Sequence, residues 1–254
     1  MVEETVSTTR DITVGALRGA GDIVKETTAV AADALTGAFE AANEVGSGLG
    51  AVAKGTVIGV IRGVGEVGTV TAGVISDTVR AALKGGSEVG GDIGSVTRNA
   101  AAGVIATTKD IGLNLQDAAF SLARGAILGA NDVGRDLGAT AKSAITGTIR
   151  GSEEVGEDTL RAVRNTARGL VAGTGEVGGD VGKVTRSAIE GAIETARDVG
   201  LKAEDAATAT VTGALRGARE VGETAVDSVS ALLETTISGV KVVAEAPFKK
   251  GERE

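Results

Sequence analysis

The sequence predicts an all-α repeat protein, and three observations carry that prediction. The first is register. Ten times an acidic residue is followed by Val or Ile, at Asp22, Glu44, Glu66, Glu88, Asp110, Asp132, Glu154, Glu176, Asp198 and Glu220, always 22 residues apart with no insertion or deletion. A gapless period of that length marks repeated units that meet the same surroundings. The second is the period itself: 22 is twice 11, and 11 residues make three helical turns at about 3.67 residues per turn. The third is the wheel that this hendecad frame produces. Unit positions 2, 3, 6, 9, 10, 13, 16, 17, 20 and 21 share one arc of mostly Ala, Val, Ile, Leu, Thr and Gly, and most charged residues fall opposite. Such a broad apolar stripe is the mark of an amphipathic helix with one face to cover.

The alternative is a β-solenoid with 22 residues per coil, which the Val, Thr and Gly content would tolerate. Stacked coils would place the ten carboxylates in a ladder with about 4.8 Å rungs, and like charges directly opposed on neighbouring strands are destabilising. On a continuous helix the same groups lie about 33 Å apart, far beyond the Debye length. Helix is therefore favoured.

Along the chain, residues 1–14 read as a partial repeat, 15–234 as ten full units, 235–246 as a further partial repeat and 247–254 as a charged tail after the lone Pro247. The third position of each unit is large and apolar, as at Leu17, Ile61, Ile105, Ile127, Ile149, Val171, Ile193 and Leu215. Position 9 adds Val67, Val133, Val177 and Val221 to the same face. Glycine pairs at four-residue spacing open many units: Gly15/Gly19, Gly59/Gly63, Gly125/Gly129, Gly147/Gly151, Gly169/Gly173 and Gly213/Gly217. Small residues so spaced let helix backbones approach closely. Glycine clusters at 46–50, 85–94 and 173–182 are the hinges at which a long helix would fold into hairpins or a bundle. Without them the proline-free run permits a rod of about 350 Å at ~1.5 Å per residue.

Composition excludes several functions. There are 254 residues with 40 Gly, three Phe, one Met and no Trp, Tyr, Cys or His. No thiolate or imidazole is present to bind zinc or act as a base, and no serine or lysine has an evident activating partner. The reading is therefore non-enzymatic, with no cofactor, metal or small-molecule substrate. A net charge of −8, with bases scattered among acids, argues against nucleic acid. No apolar run is long enough to span a bilayer and the start is polar, so a cytoplasmic protein is expected, free or peripheral to a membrane or granule. Gly63–Gly68 and Gly173–Gly178 match G-x-G-x-x-G, but a dinucleotide site needs a preceding strand and a following helix. The acidic column is read as a solvated face with pairs at Arg18/Asp22, Arg62/Glu66, Lys84/Glu88, Arg150/Glu154 and Arg216/Glu220, four apart.

The eleven-residue frame, seen in Gly-Ala-Leu-Arg-Gly-Ala-Arg-Glu-Val-Gly at 213–222 and its copies, resembles the amphipathic repeats of synucleins, perilipins, exchangeable apolipoproteins and group-3 late-embryogenesis-abundant proteins. That resemblance implies adsorption to lipid surfaces, or their protection on drying. The leading expectation is a coat on a membrane, lipid body or storage granule, with positions 3 and 9 inserted. The alternatives are a self-assembling helical bundle or filament scaffold and a desiccation protectant.

Overall fold

A computed structural model describes residues 2–19, 33–41 and 48–245. The chain folds into helices α1 (Val2–Gly19), α2 (33–41), α3 (Leu49–Val67), α4 (Ala72–Glu88), α5 (Ile93–Thr107), α6 (Leu115–Asp132), α7 (Leu137–Val155), α8 (Thr159–Glu176), α9 (Val181–Val199), α10 (Ala203–Val221) and α11 (Glu223–Ser230). A two-stranded antiparallel hairpin follows, β1 (Thr236–Ile237) with β2 (Val240–Lys241). The all-α class and the 22-residue unit are as the sequence predicts, and no coil of stacked strands is present among the described residues.

The rod does not form. From Leu49 onward each unit is one helix and one turn, because the acidic-Val-Gly signature is a helix stop. Gly90, Gly112, Gly134, Gly156, Gly178 and Gly200 all have φ between 62° and 78°, the left-handed conformation that a side chain resists. Two residues upstream sits the signature acid, and one residue downstream an N–H reaches back five residues into the helix. These bonds, Gly91 to Gly86, Leu113 to Thr108, Arg135 to Ala130, Glu157 to Ser152, Gly179 to Thr174 and Leu201 to Ala196, are 2.7–3.0 Å long and close the helix end in a Schellman motif. The next helix starts at once. Asp92, Asn114, Asp136, Asp158 and Asp180, also 22 apart, each accept from a backbone N–H of the following first turn, satisfying donors that a helix start leaves orphaned.

The expected hinges at 85–94 and 173–182 do contain turns, but those turns recur at every unit and glycine abundance does not single them out. In the third, 46–47 lie outside the described residues, and α3 begins at Leu49 after Gly48. The expected partial repeat at 235–246 is not helical over its described residues, 235–245: α11 ends after eight residues and the chain turns into the hairpin. The segment Thr-Thr-Ile-Ser-Gly-Val-Lys-Val-Val at 235–243 is rich in β-branched residues around a Ser-Gly turn, with Ser238 and Gly239 at positive φ, a hairpin pattern. The tail at 247–254 lies outside the described residues.

The helices stack in two layers. Each packs against the helices two before and two after it, α1 on α3, α5, α7 and α9 in one layer and α4, α6, α8 and α10 in the other. Consecutive helices meet across the layers. This is an α-solenoid, in which a helix is covered on three sides and leaves only a strip to solvent. One continuous core of Val, Ile, Leu and Ala, including Ala118, Leu122, Ile127 and Ile145, runs between the layers. A second cluster at the C-terminal end joins α9, α10 and α11 to Ile237, Val240 and Val242. Several core threonines bond within their own helix, as Thr56 to the Val52 carbonyl and Thr174 to that of Leu170 at 2.8 and 2.7 Å, and Thr148 meets Thr166 between α7 and α8 at 3.0 Å.

Candidate functional site

Within a layer the helices meet along a seam of glycines. A β-carbon at Gly125, Gly147, Gly169 or Gly213 would overlap the carbonyl of Ser76, Arg98, Phe120 or Arg164, in each case 49 residues earlier. The second glycine of each pair faces the same helix one turn on. A β-carbon at Gly217 would stand 2.6 Å from the Arg168 carbonyl, at Gly151 2.9 Å from Ala102 Cα, at Gly129 3.1 Å from Arg80 Cα, and at Gly173 3.2 Å from Ile127 Cβ. A β-carbon at Gly59 or Gly63 would stand 2.7 or 2.8 Å from Cβ of Thr9 or Thr13 of α1. Backbones this close gain dispersion contacts that a larger residue would forbid. Gly15 belongs to the same column, yet no described residue stands within 4 Å of its β-position. Gly19 closes α1.

The apolar column divides. Ile61, Ile105, Ile127, Ile149, Val171 and Ile193 are at most 1% exposed. Leu215, Val67, Val133 and Val177 are half-buried and Val221 is exposed; the side chain of Leu17 lies outside the described residues. Position 3 therefore points between the layers and position 9 to the rim, where each helix stops.

The carboxylates pair across helices, and not four residues back on their own helix. Arg62 reaches Asp110, and Arg150 reaches Asp198 at 3.6 Å, so neither serves Glu66 or Glu154. Glu220 takes Arg168 at 2.7 Å in place of Arg216. Lys84 and Glu88 form no ion pair with each other, and Asp22 lies outside the described residues. Arg124 pairs with Glu176 through two contacts of 2.6 and 2.7 Å, and Arg80 pairs with Asp132 likewise. The physical reason is the early stop: the acid sits in the last turn, beside the helix two units back, whose base is 48 or 52 residues earlier for Asp110, Asp132, Glu176, Asp198 and Glu220, while Glu66 takes Arg10 at 3.6 Å and Glu154 reaches Lys54 of α3. Arg168 also lies over the Phe120 ring, 4.9 Å from its centre, a cation–π contact. At the opposite end of the turn, Asp136 caps α7 and accepts from Lys183 at 2.6 Å. The Lys183 ammonium, helped by the N–H groups of Ala139 and Gly138, holds the Asp136 carboxyl below the usual aspartate range.

Neither G-x-G-x-x-G run follows a strand; both lie where a helix ends, in α3 and α8. Among the described residues no three acidic side chains converge as a metal cage would need, and no helix is long and apolar enough to cross a membrane. An open groove of about 700 Å³ lies beside the α3–α4 turn, between Arg10, Arg62, Val70 and the turn after α5. Sequence reasoning did not reach it, because it depends on which helices become neighbours.

The architecture is that of a helical repeat protein. No protein-family model matches the chain, and no curated protein does. Among solved structures it is similar to the crystal structure of the de novo designed helical repeat protein DHR7, with 22% identity, 62% of this chain and 88% of that chain covered, and a TM-score of 0.40.

Proposed function

We propose that the chain is a non-enzymatic scaffold of the cytoplasm, folded by its own repeats and assembling through its surface with other copies or larger structures. One observation carries this reading: the residues a coat would insert into lipid, Ile61 to Ile193 of position 3, are at most 1% exposed within the chain itself. Lifting them out would give up about 1.5–3 kcal/mol per side chain before any lipid contact is made. What faces outward is a series of ion pairs, each worth about 0–1 kcal/mol and sensitive to salt, a surface suited to reversible assembly. The coating reading keeps one foothold at α1, where Ile12 is 54% exposed beside the open Gly15.

Circular dichroism and sedimentation at two protein concentrations, with and without anionic and zwitterionic vesicles, test the proposal. The expected result is a helical protein in plain buffer that melts cooperatively, gains no helix with vesicles and sediments as larger species at higher concentration. A chain largely unfolded until vesicles are added would overturn it in favour of the coat, and one that gains helix only on drying would favour a desiccation protectant.

A further inference from the structure

The repeat supplies its own comparison for the groove beside α3. In the same layer, 44 residues later, Lys109 extends over the next turn, where its Nζ donates to the carbonyls of Val155 and, at 3.3 Å, Gly156. It thereby caps carbonyls at the C-terminal end of α7, where the helix dipole favours a cation. A further 44 residues along the same column stands Glu153, and 44 beyond it Arg197 donates to a carbonyl of a different kind, that of Ser238 in the turn of the C-terminal hairpin, at 2.8 Å. The residue 44 before Lys109 is Gly65. A β-carbon there would point at the Ile111 side chain, 3.4 Å away, and Ile111 and Gly112 are the counterparts of Val155 and Gly156. No described residue donates a hydrogen bond to the carbonyl of Ile111 or Gly112. The groove of about 700 Å³ opens where the lysine side chain is missing.

Its walls fit what is absent. Val70, Ile111 and Leu113 offer an apolar passage for a short methylene chain. Leu113 replaces Glu157, which lies 4.0 Å from Lys109 in the related place. The nearby Arg62 and Arg10 are engaged by Asp110 and by Asp11 and Glu66, so neither is a free cation opposing a ligand's charge. We infer that this groove binds a primary alkylammonium group, seated on the Ile111 and Gly112 carbonyls with its chain along Val70 and Leu113, as Lys109 seats its own on Val155 and Gly156. The inference goes beyond the scaffold reading and does not depend on it.

Titration of the full chain with n-butylammonium, followed by amide chemical shifts, tests it. The expected result is saturable shifts confined to residues around Gly65 and Gly112 in the native protein, and none with n-butanol. Gly65→Lys fills the site from within and abolishes them. Lys109→Ala, which leaves Gly65 untouched, vacates the related place and adds a second set of shifts around Gly156. Comparing 1,4-diaminobutane with N-acetyl-lysine amide then separates a free polyamine from a protein lysine as the natural source. Equal shifts with n-butanol, unchanged shifts in Gly65→Lys, or no saturable shift in either the native protein or Lys109→Ala would overturn the inference.

Discussion

Gly213 and Gly15 hold the same place in the repeat and meet opposite surroundings. A β-carbon at Gly213 would collide with the Arg164 carbonyl of the helix two units back, whereas one at Gly15 would meet no described residue. The two ends of the solenoid differ in the same way. At the C-terminal end α11, the hairpin and Val242 cover α9 and α10, and Thr212 holds the backbone N–H of Glu245 at 3.0 Å. At the other end the outer side of α1 shows Gly15, Ala16 and Ile12 to solvent. Glycine at this position is therefore a packing requirement only where a neighbour exists, since an interior helical glycine otherwise costs about 1 kcal/mol relative to alanine.

Alanine at each of the two positions should have opposite effects. Gly213→Ala is expected to destabilise by about 2–3 kcal/mol, since two backbones must part, while Gly15→Ala is expected to stabilise its helix by up to about 1 kcal/mol. Chemical denaturation of the two variants reads the pair; equal effects of one sign would mean that the seam does not set the spacing. A smaller loss, about 1–2 kcal/mol, is expected for Gly156→Ala, which forces a side chain into the left-handed conformation at φ 62°. Its contrast with Gly15→Ala separates glycines that stop helices from glycines that pack them, and a neutral result in a thermal melt would contradict the stop. The smallest effect concerns Asp136→Asn. Because the folded carboxyl titrates below its ordinary range, its contribution is present above the unfolded aspartate value and is lost as pH falls through the folded one. The variant should therefore melt below the native protein at neutral pH and converge with it in acid. A difference that persists in strong acid would assign the effect to packing instead.

Much of this was legible in the sequence, and the part that was not has a definite cause. Helix, period and the apolar column through Ile105, Ile127 and Ile149 follow from spacing alone. A 22-residue period, however, suits two hendecads of continuous helix as well as one helix plus a turn. The columns that decide between them are Gly90 to Gly200 with Asp92, Asn114, Asp136, Asp158 and Asp180 two residues later. Taken together, a C-terminal glycine and an N-cap acid spell stop and start; taken singly, they look like small and polar positions on a wheel. The layering was also written down, in a period of 44: Arg10, Lys54, Arg98, Lys142 and Arg186 recur in one layer, and Arg80, Arg124 and Arg168 in the other. The ion-pair partners and the groove below Gly65 were not legible, because they join residues 46 or more positions apart that only the stacking brings together.

That alternation gives the molecule a parity. Deleting the unit that holds α7 would carry every later helix to the opposite side of those before it, setting Glu176 against α5, where Ala102 stands at the place that Arg124 holds in the repeat, whereas deleting two units would restore each helix to its own kind. A chain of this design can lengthen or shorten without loss only by even steps, so its genetic unit of growth is twice the length that its most visible motif suggests.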